Sequence, residues 1–154
     1  MKFSAREDIE APAEFVFQQI TDFQSYVRQA LRWGADVRRL DSGEYKIGSA
    51  WDVAFNYRGK DRKLRLIVEE QKAPSMVRVS SKSDGLEGET VLEVVPLSKN
   101  RTRIAASIDI KPKTLSARLL IQSLKLARTN LSNRFKRRVS IFAEDLETRY
   151  QSAK

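Results

Sequence analysis

The stretch KTLSARLLIQSLKLARTNLSNRFKRRVSIFAEDLETRYQSAK, residues 113–154, decides the fold because it contains neither glycine nor proline. Thr114 precedes an apolar repeat and suits an N-cap, so one helix is predicted from near Thr114 to near Tyr150. That helix would be about 54 Å long, whereas a compact chain of this size is roughly 40 Å across. A bend is therefore expected at the weak helix formers of segment 129–133. The predicted apolar face consists of Ala117, Leu120, Ile121, Leu124, Leu131, Phe135, Val139, Phe142 and Leu146.

The part of the chain before this helix alternates apolar and polar residues in short segments separated by turn-forming residues. Residues 2–10 predict a first strand, and the apolar spacing of residues 11–31 predicts two short helices. Alternation then continues from residue 51 to residue 110, which is typical of antiparallel strands with one buried face. The predicted fold class is α+β: a curved antiparallel sheet of six to seven strands over a long C-terminal helix, with two short helices after the first strand. Such an arrangement tends to leave a cavity between sheet and helix.

Composition restricts the chemistry that the chain can perform. A length of 154 residues predicts a single domain spanning residues 1–154. The absence of cysteine excludes disulfides and thiolate metal sites, and the absence of histidine removes the commonest general base and metal ligand. No metal site or cofactor is therefore expected. The lack of cysteine and of an N-terminal signal pattern favours a cytoplasmic location.

The net charge of +9 is unevenly distributed along the sequence. Residues 1–57 carry a net charge of −2, and residues 114–154 carry +6. Arg134, Arg137 and Arg138 occupy one sector of the predicted helix. Weak contact with RNA or another anionic surface is one interpretation, and a solvated face is the other.

A second apolar sector lies on the first half of the predicted helix. Leu115, Leu119 and Leu126 share it and are separate from the main apolar face. The sequence predicts that this sector is covered by the 33–48 loop, by a second subunit in a homodimer, or by a membrane surface.

Three segments resemble those of a known superfamily. IEAPAEFVFQQITDFQSY at 9–26 is similar to its strand-to-helix entry, GSAWDVAFNYRG at 48–59 to its third strand, and RTRIAASIDIKP at 101–112 to its last strand. The chain thus resembles the START-like (SRPBCC) helix-grip superfamily, which includes Bet v 1-like and polyketide cyclase/dehydrase-type proteins. The resemblance implies a cavity between the sheet and the C-terminal helix that holds a small hydrophobic molecule.

The candidate residues for such a cavity lie on the predicted buried face of the strands and on the apolar face of the predicted C-terminal helix. Aromatic side chains on a buried strand face can line a pocket, although they also fill ordinary cores. The predicted ligand-binding residues are Trp51, Phe55, Tyr57, Leu66, Val79, Leu92, Ile104 and Leu124.

Two charged residues are added to this candidate site. Arg128 falls inside the apolar stripe of the predicted helix, and Glu7 shares strand parity with Phe3 and Ile9. A buried guanidinium requires an anionic partner, so Glu7 or a ligand carboxylate is expected to pair with Arg128. The alternative is that Arg128 extends to solvent where the helix bends.

Three functional hypotheses follow from the sequence. The first is a non-enzymatic binder or carrier of a lipid-, quinone- or polyketide-like molecule. The second is a cyclase- or dehydratase-type enzyme working without histidine, and the third is an interaction protein that uses its basic surface on ribosome, RNA or anionic membrane. The absence of a histidine base weighs against the enzyme.

Overall fold

The computed structural model describes residues 1–153, and its centre is a seven-stranded antiparallel sheet. The strands run in the order β1-β7-β6-β5-β4-β3-β2, so each strand from β2 to β7 pairs with its neighbour in sequence and β1 closes onto β7. Their bounds are β1 Lys2–Ile9, β2 Asp36–Arg39, β3 Ala50–Tyr57, β4 Lys60–Lys72, β5 Met76–Ser83, β6 Leu86–Ser98 and β7 Arg101–Pro112. The predicted α+β fold class is confirmed.

Two short helices, α1 (Ala13–Ile20) and α2 (Phe23–Arg32), connect β1 to β2. Pro12 precedes α1 with φ of −64°, a value that its ring fixes and that suits entry into a helix. The Asp22 carboxylate accepts the Ser25 backbone N–H at 3.3 Å and caps α2. Both helices place apolar side chains into the main core, so they form a second layer against the sheet.

The C-terminal helical segment is divided into α3 (Leu115–Lys125) and α4 (Arg128–Ala153). The Thr114 hydroxyl accepts the Ala117 backbone N–H at 3.2 Å, so the predicted N-cap is confirmed. The helix is interrupted at residues 126–127, so the expected position of the bend at 129–133 is wrong. There the Leu126 and Ala127 N–H groups bond three residues back, at 3.2 and 3.0 Å, which tightens the last turn of α3.

The two helical segments bury unequal amounts of apolar surface. In α4 the Leu146 side chain is fully buried, and Phe135 packs against Phe3 of β1 with ring centroids 6.3 Å apart. In α3 only Ala117 and Ile121 are buried. The prediction that Leu120 belongs to the buried stripe is wrong, since its side chain is 45% exposed. No described helix is long and apolar enough to cross a membrane.

Candidate ligand-binding cavity

An apolar cavity of about 280 Å³ lies between the α1–α2 layer and the inner face of the sheet. Its expected position between the sheet and the C-terminal helix is wrong, because no described residue of α3 or α4 lines it. Strand alternation explains the sheet wall, because positions of one parity on β3 to β6 all face this layer. The lining residues are Ile20, Phe23, Tyr26, Val27, Ala30, Val37, Trp51, Val53, Leu66, Val77, Val79, Thr90 and Leu92.

The helical wall presents one ionisable group, the Tyr26 phenol. Its hydroxyl donates to the Ile20 carbonyl oxygen at 2.9 Å. Burial raises the pKa of Tyr26 well above its ordinary value, with a further contribution from the nearby Asp22 carboxylate. The phenol therefore stays protonated, and its proton is already directed to the backbone, so Tyr26 is poorly suited to act as a base.

Aromatic packing fixes the end of the cavity that Trp51 occupies. Phe23 lies 5.4 Å from Trp51 between ring centroids, Tyr45 lies 5.8 Å from Trp51, and Phe23 and Tyr45 lie 5.6 Å from each other, so the three rings pack as one cluster. The Arg39 guanidinium covers the Tyr45 ring at 4.4 Å. These contacts leave Trp51 only 6% exposed and hold its indole in one orientation.

A carboxylate outside the cavity supports this aromatic group. Asp41 accepts two hydrogen bonds from Arg39, at 3.1 and 2.9 Å, and one each from the Ser49 hydroxyl and the Ala50 N–H, both at 3.1 Å. The Arg39 hydrogen bond is the main reason that the pKa of Asp41 is well below its usual range, and the Ala50 and Ser49 bonds act in the same direction. The segment between β2 and β3 is thereby tied to the start of β3, beside Trp51.

A larger groove of about 870 Å³ adjoins the cavity. Val37 and Val53 line both spaces, so the groove and the cavity are neighbours. Leu31 of α2 and Leu86 of β6 extend the apolar surface of the groove.

The rim of this groove is charged but largely neutralised. Asp52 pairs with Arg65 at 2.8 Å and with Arg38 at 3.2 Å. The Arg65 hydrogen bond, with a smaller one from Arg38, lowers the pKa of Asp52, so this carboxylate stays ionised. Glu87 lies 3.6 Å from Lys113, which makes a second pair at the rim.

The ten candidate residues from the sequence are placed in several different environments. Trp51, Leu66, Val79 and Leu92 line the cavity. Ile104 is fully buried in the main core, and Phe55 and Leu124 are half-buried; none of the three lines the cavity.

Tyr57 lies at the tip of β3, away from the cavity. Its side chain is 52% exposed, with the Arg58 and Arg62 guanidinium groups over its ring at 5.3 and 5.6 Å. The ring therefore contributes to the basic β3–β4 turn.

Arg128 and Glu7 are not brought together within residues 1–153. Arg128 is exposed, and its guanidinium donates to the Lys2 carbonyl oxygen at 3.4 Å. The expectation of a buried Arg128 is wrong, and the alternative that it extends to solvent describes its position. Glu7 lies half-buried in β1, next to Asp8 and Arg103 in a small surface hollow.

The cavity wall contributed by α1 and α2 was not among the predicted site residues. Ile20, Phe23, Val27 and Ala30 recur at spacings of three and four residues, the pattern of one helix face. That spacing could have indicated the helical wall of the cavity. The two helices are short, however, and the same apolar residues are equally typical of an ordinary hydrophobic core.

Solved structures of known proteins share this architecture. The Zhui aromatase/cyclase from Streptomyces sp. R1128 matches with a TM-score of 0.67 at 13% identity, over 99% of this chain and 97% of that chain. Norcoclaurine synthase from Thalictrum flavum matches with 0.65 at 14% identity, over 100% and 88%. A START superfamily protein from Mycobacterium smegmatis matches with 0.54 at 17% identity, over 86% and 95%.

Sequence comparison adds nothing to these structural matches. No protein-family model matches the chain, and no curated protein matches its sequence. At such low identities the structural matches carry the fold alone, and they agree with the resemblance seen in the three segments. The chain has the helix-grip fold of START-like and Bet v 1-like proteins.

Proposed function

We propose that this protein binds or carries an apolar or amphipathic small molecule, with the apolar part held in the cavity between α1–α2 and the sheet. The observation that carries the proposal is the lining, in which Tyr26 is the only titratable side chain. A wall of this kind gains free energy by removing apolar ligand surface from water, at about 25 cal/mol per Å².

The cavity volume sets the size of the ligand. A buried apolar cavity of about 150 Å³ accommodates benzene, and drug-sized ligands occupy roughly 300–1,000 Å³. At about 280 Å³ the cavity suits a bicyclic ring or a short acyl chain, and the adjoining groove accepts a longer tail or a polar end.

The same lining favours binding over catalysis. A cyclase- or dehydratase-type reaction needs a group that exchanges protons within hydrogen-bond reach of the substrate. Thr90 supplies a hydroxyl and Tyr26 a phenol whose pKa is raised, and neither is a base near neutral pH. A carrier role therefore follows from the chemistry of the wall better than an enzyme role does.

Tryptophan fluorescence tests the proposal, because the two tryptophans differ in position. Trp51 lines the cavity, whereas Trp33 is 78% exposed at the end of α2. The Trp33→Phe variant leaves Trp51 as the single reporter, and menadione, a bicyclic quinone, is expected to quench it with a saturable curve. The Trp51→Phe variant is the matched control and is expected to show only linear, collisional quenching.

A second pair of variants locates the binding. Val79→Phe, in the Trp33→Phe background, adds a ring to the cavity, while Val91→Phe makes the same change on the outer face of β6. Saturable quenching is expected to be lost in the first variant and retained in the second, with both folded by circular dichroism. Equal quenching in both folded variants would remove the cavity as the site.

A further inference from the structure

The most exposed large apolar side chains of the C-terminal segment lie on α3 and at Leu126, its C-cap, where the backbone is still helical. Leu126 is 91% exposed, Leu115 74% and Leu119 64%. Leu115 and Leu119 are one helical turn apart, and Leu126 lies two turns beyond Leu119, so the three project from one face. Within the described chain neither the 33–48 loop nor any other segment buries this row.

The residues that flank this leucine row in sequence carry charge of one sign. From residue 110 to residue 143 the sequence contains nine lysines and arginines and no acidic residue. All nine are exposed. Within residues 1–153, Lys113 is the only one of them paired with a carboxylate, Glu87 at 3.6 Å. The leucine row is therefore flanked in sequence by exposed cations, and the other eight are free of carboxylate partners within the described chain.

We propose that α3 docks onto an anionic lipid surface, with Leu115, Leu119 and Leu126 entering the headgroup–acyl boundary and the flanking cations contacting lipid phosphates. A helix with leucines on one side and basic residues beside them suits the membrane–water interface, because the leucines can enter the acyl region while the cations stay among the headgroups. Each lysine or arginine near an anionic leaflet adds attraction of about 1 kcal/mol, a factor of about five in affinity.

Two other occupants fit the surface less well. A symmetric dimer would place the leucine row against its own copy, where Arg118 and Lys125 would face the same cations. Segment 110–143 offers no acidic residue to pair with them. An RNA strand would satisfy the cations but has no apolar surface for three leucines, and no exposed aromatic ring lies on α3 to stack with its bases.

Docking by α3 would also orient the cavity. Lys113, just before α3, and Leu31 of α2 both line the groove that adjoins the cavity. A docked α3 therefore brings the mouth of the groove close to the lipid. This last step rests on the proposed small-molecule function, whereas the docking itself does not.

Vesicle sedimentation with the full chain tests the docking. The protein is expected to bind vesicles of phosphatidylcholine mixed with phosphatidylserine, to bind phosphatidylcholine alone far more weakly, and to lose affinity as salt rises from about 50 to about 200 mM. Changing Leu115, Leu119 and Leu126 together to glutamine is expected to weaken binding at least about tenfold, since each buried leucine side chain contributes strongly. The matched control is Val95→Gln with Leu97→Gln, two exposed apolar residues on β6, and it is expected to leave binding unchanged.

A second pair of variants tests the charge. Arg118→Gln with Lys125→Gln is expected to reduce affinity about 25-fold, from about fivefold for each cation. Lys46→Gln with Lys99→Gln removes two exposed cations elsewhere and is expected to have little effect.

Three results overturn the proposal. They are an absence of binding to the anionic vesicles, vesicle binding that the leucine variant leaves unchanged, and a dimer in solution that the same leucine variant converts to monomer. Binding to a single-stranded oligonucleotide, unaffected by the leucine variant and accompanied by no vesicle binding, would assign the basic surface to RNA. Menadione quenching of Trp51 in the Trp33→Phe protein is measured in parallel, without vesicles. If that quenching is not saturable, the proposed cavity function is refuted, and the docking proposal is unaffected.

Discussion

The C-terminal half of the helical segment is expected to provide most of the stability that this segment contributes to the fold. Leu146 of α4 is fully buried, whereas Leu120 of α3 is 45% exposed. The same end of α4 is tied to the β1–α1 junction, where Glu147 Oε1 accepts the Glu10 backbone N–H at 2.9 Å. We predict that Leu146→Ala strongly lowers the free energy of unfolding and that Leu120→Ala barely changes it.

The size of the Leu146 effect follows from its burial. Replacing leucine by alanine removes three carbon atoms, and at about 0.8 kcal/mol each the lost transfer free energy is about 2.4 kcal/mol. A residual void of roughly 70 Å³ would add about 1.7 kcal/mol at about 24 cal/mol per Å³. The expected cost is therefore about 2.5 to 4 kcal/mol, depending on how far the site collapses. For Leu120, whose side chain already meets water, we expect less than about 1 kcal/mol.

Urea unfolding followed by circular dichroism measures both changes. The midpoint should fall for Leu146→Ala with the slope unchanged, because the surface exposed on unfolding is nearly the same. Equal destabilisation by the two variants would refute the reasoning, since it would mean that α3 is packed as tightly as α4. It would also weaken the proposal that α3 has a free face for lipid.

Three further outcomes are expected. Acrylamide should quench Trp33 readily and Trp51 poorly, as measured on the single-tryptophan variants, because the first is 78% and the second 6% exposed. Gly85→Ala should destabilise the protein more than Gly43→Ala in urea unfolding: both residues have φ near +80°, but only at position 85 would a Cβ meet the N-cap hydroxyl of α3, at 2.5 Å. Because the folded-state pKa of Asp41 is lowered, its contribution to stability is present above the unfolded-state pKa of about 3.9 and is lost as pH falls through the folded value. As the pH is lowered, the free energy of unfolding should therefore fall less steeply for Asp41→Asn than for the wild type. An identical pH dependence in the two proteins would contradict this assignment.

The antiparallel sheet could be predicted from the sequence because strand alternation is a local signal. Trp51, Leu66, Val79 and Leu92 each have another apolar residue two positions away on the same strand, and the structure places all four on the inner face. Alternation does not show how far along a strand the inner face remains covered. Tyr57 has the same parity but lies beyond the covering helices and is exposed.

The division of the C-terminal helix could not be predicted from propensity. Leu126 and Ala127 are strong helix formers, yet the break lies there, and the weaker formers that follow it are helical. The cause is tertiary: α4 lies along β1 at the sheet edge, whereas Ala117 and Ile121 bury α3 against β7. Because α3 and α4 pack against different strands, the helix is interrupted between them. Helix propensity, which depends only on neighbouring residues, contains no information about that packing.

The placement of acidic side chains on the strands favours the proposed binding role over catalysis. On the described strands Asp8, Asp52, Glu70 and Glu89 have outward parity, and each is paired with an arginine within 3.4 Å. Glu7 is the one strand carboxylate of inward parity, and it lies outside the cavity lining. Because a strand turns successive side chains to opposite faces, an acid at an outward position cannot reach the cavity without a shift of register. The ion pairs thus lie on the outer face of the sheet, and the inner face keeps the apolar wall on which the proposed binding role depends.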